Sequence, residues 1–269
     1  MAEDGAPIGV FDSGVGGLSV LREIRTLLPH EDLLYVADSG RAPWGDKPID
    51  EVRSWSLDIA SFLTARGAKA IVIACNVGTA AAAEAVRAAL SVPVVAMEPA
   101  VKPAAEATRS GVVGILTTVG TSESDRFRSL LERYGSRATV VTQPAPGLVE
   151  QVEAGDVTGP RTRALVERYT KPFKDAGADT IVLGCTHYPF LKDVIAEVVG
   201  SDVTLIDTGP AIARQLQRVL EGRNLLNPRP EIGTVRFWSS GDLGVARRVI
   251  PALYGAAASV EPFPDGRPG

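Results

Sequence analysis

The sequence predicts an α/β protein in which parallel sheets are covered by helices on both faces. Short, continuously apolar segments alternate along the chain with longer segments whose apolar residues recur at helical spacing. The clearest apolar segment is 70–74, and the helical spacing is clearest in Leu18, Leu21, Ile24, Leu27 and Leu28. Strands that are apolar on both faces and alternate with helices are typical of parallel sheets buried between helices.

Local signals give each element of the first half in order. A tight loop from Asp12 to Gly17 separates the first strand from the first helix. The second helix has acidic residues in its first turn and Gly67 beyond its end. The predicted strands are 7–11, 33–37, 70–74 and 92–97, and the predicted helices are 18–28, 49–65 and 79–90.

The second half repeats this alternation. Its predicted strands are 112–116, 138–142, 180–183 and 203–206, and its predicted helices are 123–134, 160–176, 190–199 and 210–220. The last residues, from Pro262 onward, are rich in proline and glycine, and we expect them to lie loosely outside the core.

Composition excludes several classes of protein. The chain has 269 residues, of which 45% are hydrophobic and 22% charged, and a net charge of −4. These values are ordinary for a globular chain and give no basic surface for nucleic acid. No apolar run reaches the roughly 18–20 residues that a membrane helix needs, and the acidic N-terminus lacks the pattern of a signal peptide. We therefore expect a cytoplasmic protein with no membrane or nucleic-acid partner.

Cysteine and histidine are scarce, with two of each in the chain. Four such residues are too few for a convincing Cys/His zinc site. A cytoplasmic chain of this length also has a hydrophobic core large enough to be stable without a disulfide. We therefore expect no metal, and we expect both cysteines to act as thiols.

One short pattern occurs twice, at 69–76 and at 179–186. Each copy has a charged residue, a four-residue apolar strand, a small residue, a cysteine and then a short polar residue. The repeat predicts two similar α/β units, with Cys75 and Cys185 at the carboxyl ends of parallel strands, where α/β sheets bind ligands. N–H groups of a following helix would favour a thiolate there. Two other interpretations of these cysteines stay open. Each could be a small buried residue that ends a core strand, or the two could form a redox pair, although no Cys-x-x-Cys spacing supports a redox pair.

Polar residues close to these strand ends are further candidates. Asp12 and Ser13 end the first strand, where they could hold an ammonium group or polarise a thiol, or one of them could simply cap the next helix. The glycines after them do not form a dinucleotide fingerprint, because position 19 is serine. His187 could tune the Cys185 thiol or be a packed core histidine. Glu150 is a weaker candidate, because exposed glutamates are common on helices. Residues 42–45 resemble a turn with an aromatic lid.

Three separated stretches resemble the signatures of the bacterial glutamate racemases, within the aspartate/glutamate racemase family. They are 11–18 (Phe-Asp-Ser-Gly-Val-Gly-Gly-Leu), 74–76 (Ala-Cys-Asn) and 184–189 (Gly-Cys-Thr-His-Tyr-Pro). The resemblance runs from residue 7 to about residue 220. It implies a cofactor-independent racemase of two pseudo-symmetric domains, 1–97 plus 208–269 and 98–207, with the site in the cleft between them. It also implies a homodimer that acts on a small amino acid and supplies D-glutamate for peptidoglycan.

The same resemblance implies roles for individual residues. Cys75 and Cys185 would be the two acid/base thiols, with Asp12 assisting Cys75, His187 assisting Cys185 and Glu150 as a further auxiliary acid. The implied substrate contacts are Asp12, Ser13, Trp44, Gly45, Asn76, Val77, Thr186 and His187.

The chain departs from the family pattern at three positions. Family members usually have tyrosine at Trp44 and threonine at Val77, and often a cysteine at Ala145. Loss of the threonine hydroxyl would cost about 0.5–1.5 kcal/mol of substrate binding if that hydroxyl bonds the substrate. These changes leave two alternatives open: a racemase of aspartate or hydantoins, and a weakly active relative that acts as a binding or regulatory protein. Retention of both cysteines, Asp12 and His187 favours an enzyme.

Overall fold

The computed structural model describes residues 5–134 and 137–264, which form two parallel β-sheets with helices packed around them. The strands are β1 (Ile8–Asp12), β2 (Leu33–Ala37), β3 (Ala70–Ile73), β4 (Val94–Ala96), β5 (Val112–Thr117), β6 (Thr139–Pro144), β7 (Thr180–Leu183), β8 (Thr204–Ile206), β9 (Val235–Ser239) and β10 (Val260–Pro262). One sheet has six strands in the order β10-β9-β2-β1-β3-β4, and the other has four in the order β6-β5-β7-β8. Every pairing is parallel, which confirms the predicted fold class.

Helices connect the strands and cover the sheets. They are α1 (Leu18–Leu27), α2 (Ile49–Ala65), α3 (Asn76–Ala89), α4 (Val101–Ala107), α5 (Val119–Ser122), α6 (Asp125–Tyr134), α7 (Leu148–Glu153), α8 (Pro160–Asp175), α9 (Lys192–Val199), α10 (Gly209–Glu221) and α11 (Leu243–Tyr254). Short 3₁₀ turns occupy Ser39–Arg41, Trp44–Asp46 and Tyr188–Leu191. Within the described part of the chain, no helix is long and apolar enough to cross a membrane.

The eight predicted strands correspond to β1–β8, and the seven predicted helices correspond to α1, α2, α3, α6, α8, α9 and α10. One boundary matters for the site. The third helix begins at Asn76 rather than at the predicted residue 79, because the Cys75 sulfur caps it by accepting the N–H of Gly78 at 3.4 Å. Cys75 is therefore the last residue before a helix.

The expectation that the chain lies loosely outside the core from Pro262 onward is wrong for its first residues. Pro262 ends β10, and the Phe263 side chain is buried. The Phe263 ring packs edge-on against Phe62, with ring centroids 4.8 Å apart, because parallel pairing with β9 carries this segment over α2. Residues 265–269 lie outside the described residues.

The two sheets draw on different parts of the chain. The six-stranded sheet takes its strands from residues 8–96 and 235–262, and the four-stranded sheet takes them from 112–206. The domain boundaries at 97/98 and 207/208 stay a prediction. The arrangement brings the loops after β1, β2 and β3 against those after β5 and β7, and the candidate site lies between these loops.

Candidate active site

Cys75 lies at the carboxyl end of β3, beside the end of β1. Strands β1 and β3 pair in parallel, with Phe11 opposite Ile73, so Asp12 and Cys75 share one edge of the sheet. The buried Cys75 thiol donates to the Ser13 hydroxyl at 3.7 Å. Burial, and next the neighbouring Asp12 carboxylate, raise the pKa of Cys75 well above its usual range. This sulfur is therefore a protonated thiol at neutral pH and can act as an acid.

Asp12 is fully buried behind Cys75. Its carboxylate accepts the N–H of Ser13 at 2.7 Å, the N–H of Gly17 at 2.6 Å and the hydroxyl of Thr186 at 3.1 Å. Burial raises the pKa of Asp12 above its ordinary value, although the charge of His187 and the hydrogen bonds partly oppose this. A carboxyl group with a raised pKa next to a thiol is suited to exchange a proton with it.

Cys185 follows β7, a central strand of the second sheet, and contacts a histidine. Its sulfur lies 3.6 Å from Nδ1 of His187, whose Nε2 lies 2.6 Å from a carboxylate oxygen of Glu153. Burial alone would lower the pKa of His187, but the hydrogen bonds to Cys185 and Glu153 outweigh it and raise that pKa well above its usual value. The raised pKa favours the imidazolium form of His187, which places a cationic hydrogen-bond donor in contact with the Cys185 sulfur.

The carboxylate in contact with His187 belongs to Glu153, which the sequence analysis did not single out. Glu150 is exposed and lines an adjoining cavity with Asp46 and Ala145, so the structure does not bring it to either thiol. Both glutamates belong to the short helix α7, whose buried residues lie on one side. Glu150 points away from that side, and Glu153 lies at its border. The apolar spacing of Leu148, Val149 and Val152 is the one local signal that places Glu153 nearer the buried side than Glu150.

Both thiols line one narrow cavity between the two sheets. Its walls come from loops of both sheets: Ser13, Pro43, Trp44, Gly45, Cys75, Asn76, Val77, Thr118, Thr121, Val149, Cys185, Thr186 and His187. The cavity therefore gathers the predicted substrate contacts except Asp12, which lies behind Cys75. Sequence analysis missed the wall residues Thr118, Thr121 and Val149, which follow no recognisable motif.

Two wall residues have notable polar partners. The Asn76 side chain donates to the carbonyl of Gly184 at 2.9 Å, across the cleft, while its buried Oδ1 has no hydrogen-bond partner among the described residues. The Trp44 indole N–H donates to Asp38 at 3.1 Å. Asp38 is buried, and burial raises its pKa despite the hydrogen bonds that it accepts. An unpaired buried acceptor in a cavity is suited to bind a donor on a ligand.

This arrangement supports proton exchange at a carbon atom held between the two sulfurs. One thiol belongs to each sheet, and each has its own acid–base partner, Asp12 or His187. In the described residues, no group of three or more His, Cys, Asp or Glu side chains is arranged to hold a metal ion.

Comparison with known proteins identifies the family. Residues 8–216 match the family model described as Asp/Glu/Hydantoin racemase. A glutamate racemase of Methylococcus capsulatus is 55% identical, over 97% of this chain and 96% of that protein. The crystal structure of glutamate racemase isoform RacE1 from Bacillus anthracis superimposes with a TM-score of 0.86 at 32% identity, covering 96% of this chain and 97% of that one. Glutamate racemase from Francisella tularensis, solved in complex with D-glutamate, gives 0.83 at 29% identity, covering 98% and 100%. The chain therefore belongs to the Asp/Glu/hydantoin racemase family.

Proposed function

We propose that this protein interconverts L- and D-glutamate by a two-thiol mechanism that uses only groups of the protein and the substrate. The observation that carries the proposal is that Cys75 and Cys185 line one cavity from two different sheets, each with its own acid–base partner. The glutamate racemases that resemble this chain over almost its whole length support glutamate as the substrate.

The partners of the two thiols support proton transfer in a defined order. Cys185, beside the imidazolium of His187, acts as the thiolate and removes the α-proton from one face of the substrate. The C–H electron pair stays on the α-carbon and is shared with the α-carboxylate. Cys75, held as a thiol by burial, gives its proton to the opposite face and becomes a thiolate. For the other enantiomer the roles reverse, with Asp12 as the proton partner of Cys75.

Groups on the cavity wall suit an amino acid. The unpaired Oδ1 of Asn76 and the hydroxyl of Ser13 can accept hydrogen bonds from the α-ammonium group. The N–H groups of Asn76 and Val77 lie in the first turn of α3, where they have no acceptor within the helix. These N–H groups can bind the α-carboxylate and stabilise the negative charge that develops there.

A proton NMR measurement tests the proposal. Purified reduced protein with L-glutamate in D₂O should remove the α-proton signal, and a chiral assay should find D-glutamate accumulating to equal amounts. Absence of exchange from folded protein at high concentration would reject glutamate as the substrate. Aspartate and hydantoins, the alternatives that Trp44 and Val77 leave open, would be assayed in parallel.

The thiols are tested separately. Cys75→Ala and Cys185→Ala should each abolish racemisation, because each removes the proton carrier on one face. Undiminished turnover in either variant would contradict the two-thiol mechanism.

The resemblance also supports a cytoplasmic homodimer that supplies D-glutamate for peptidoglycan. Light scattering of the purified protein tests the dimer. D-glutamate dependence of cells depleted of the protein tests the supply role.

A further inference from the structure

Loops of the first sheet hold the acid–base pair of the second sheet. One carboxylate oxygen of Glu153 accepts the N–H of Val15 at 2.7 Å and contacts Nε2 of His187 at 2.6 Å. The other oxygen accepts the Ser39 hydroxyl at 2.8 Å. Val15 and Ser39 follow β1 and β2, whereas Glu153 and His187 belong to the chain between β6 and β8. Both oxygens of this carboxylate are therefore fixed across the cleft.

The loop after β1 packs closely against Glu153 and His187. A Cβ atom at Gly14 would lie 1.9 Å from Oε1 of Glu153, and one at Gly16 would lie 2.3 Å from Nδ1 of His187. Only glycine leaves room for both side chains at these two positions. The contacts of Glu153 are thus part of a close fit between the two sheets.

From these contacts we propose that Ser39 is a positioning residue for proton transfer at Cys185, because its hydroxyl fixes the Glu153 carboxylate in the orientation that pairs with His187. The inference rests on the proposed racemisation. Ser39 lies two residues beyond the end of β2 and lines no part of the cavity, so it acts through Glu153 rather than on the substrate.

The physical effect of the hydroxyl is on the proton between Glu153 and His187. A hydroxyl that donates to a carboxylate stabilises its charged form, so the shared proton stays on the imidazole. Glu153 is 17% exposed, and without Ser39 its carboxylate could turn toward water. Ser39 and Glu153 lie on opposite sides of the cleft. Their hydrogen bond therefore exists only while the loops of the two sheets are in contact.

Steady-state rates alone cannot show which thiol is affected. The two enantiomers have equal free energies in water, so any variant changes kcat/KM equally in both directions. The α-deuterium isotope effect on kcat/KM does distinguish the thiols. If transfer at Cys185 slows, the isotope effect rises for the enantiomer whose hydrogen Cys185 removes and falls for the other.

The first experiment compares Ser39→Ala with Ser39→Thr, which keeps a hydroxyl, and with Ser56→Ala as a control. Ser56 donates only to a carbonyl within α2, away from the cavity. Ser39→Ala should reduce kcat/KM about tenfold, the value of one hydrogen bond to a charged group. Its two isotope effects should move in opposite directions, whereas Ser39→Thr and Ser56→Ala should behave like the parent. An unchanged rate, or a loss in which the two isotope effects do not diverge, would overturn the proposal.

A double-mutant cycle tests whether Ser39 acts through Glu153. Glu153→Gln should shift the isotope effects in the same sense, and adding Ser39→Ala to it should cost no further activity. Additive losses would overturn the proposal. If the parent protein itself exchanges no α-proton, the proposed function fails instead, so the two failures are distinguishable.

The protonation of His187 gives a readout independent of activity. The chain has only two histidines, so ¹⁵N-histidine labelling yields two ring systems, and His30, at the surface, serves as reference. The charged groups facing His187 are Cys185, Glu153 and Asp12. Ser39→Ala should increase the neutral fraction of His187 at a given pH. An identical titration in Ser39→Ala and the parent would overturn the proposal even if the variant had lost activity.

Discussion

The substitution Gly16→Ala tests whether the loop after β1 sets the geometry at Cys185. The backbone of Gly16 is not left-handed, so alanine tests the available space and not the conformation. Its Cβ would lie 2.3 Å from Nδ1 of His187, whereas ordinary contact begins near 3.4 Å. The imidazole ring must therefore retreat by about 1 Å, a displacement that can cost about 100-fold in rate.

The ring has little freedom to retreat without losing its partners. Nδ1 contacts the Cys185 sulfur at 3.6 Å, and Nε2 is held by Glu153 at 2.6 Å. We expect kcat/KM to fall about 100-fold, equivalent to about 2.7 kcal/mol of transition-state stabilisation. Circular dichroism, whose signal has opposite sign for L- and D-glutamate, measures the rate in both directions.

A matched glycine variant separates this effect from a general loss of structure. Gly5→Ala adds the same methyl group far from the cavity, at a point where the described part of the chain places no atom within 4 Å, and it should retain the parental rate. Thermal melting of both variants reports whether they fold. Parental kcat/KM in folded Gly16→Ala would refute the reasoning, because it would show that His187 can move by this distance without consequence.

Three further predictions concern the substrate, the auxiliary acid and pH. Val77→Thr should lower KM for glutamate by about 2- to 10-fold, because the added hydroxyl can bond the substrate carboxylate; an unchanged KM would show that the hydroxyl has no partner there. Glu153→Gln should reduce kcat/KM by at least about tenfold, while Glu150→Gln should stay within about twofold, because the Glu153 carboxylate contacts His187 whereas Glu150 is exposed; equal effects would contradict the assignment of Glu153. Because the pKa of His187 is raised in the folded state, protonation of this histidine stabilises the fold. The stabilisation is complete below the pKa of the unfolded chain, about 6.5, and is lost as pH rises through the pKa of the folded state. Urea denaturation should therefore show the greatest advantage of the parent over His187→Gln below about pH 6.5 and a shrinking one at alkaline pH; an advantage that grows with pH would contradict this sign.

The predictable parts of the molecule are those with a strong local pattern. Most of the strands β1 to β8 are runs of apolar residues between polar ones. Both thiols follow such runs, so their place at the sheet edge follows from the sequence. Closeness in sequence to a strand end or a cysteine makes Asp12 and His187 candidates, and the family resemblance implies their assisting roles. Their contacts agree with those expectations: His187 touches Cys185, and the Asp12 carboxylate is close enough to raise the pKa of Cys75.

Other parts depend on contacts between residues far apart in the chain. Helix α7 has only six residues, too few for a helical period to stand out, so the sequence pattern does not point to Glu153, and the family resemblance implies Glu150 instead. The bonds from Val15 and Ser39 to Glu153 span more than 100 positions. Strands β9 and β10 carry mixed polar and apolar residues, and only their pairing with β2 defines them as part of the sheet.

The position of β9 has a consequence for synthesis of the chain on the ribosome. Its partner β2 is made about 200 residues earlier, and all five residues of β2 are buried in the finished sheet. Until β9 emerges, β2 presents an open apolar edge, the kind of surface on which nascent chains associate. The four-stranded sheet is complete well before that point, since its last strand ends at residue 206. A chain that ended between β8 and β9 would thus hold a finished second sheet beside an unprotected first one.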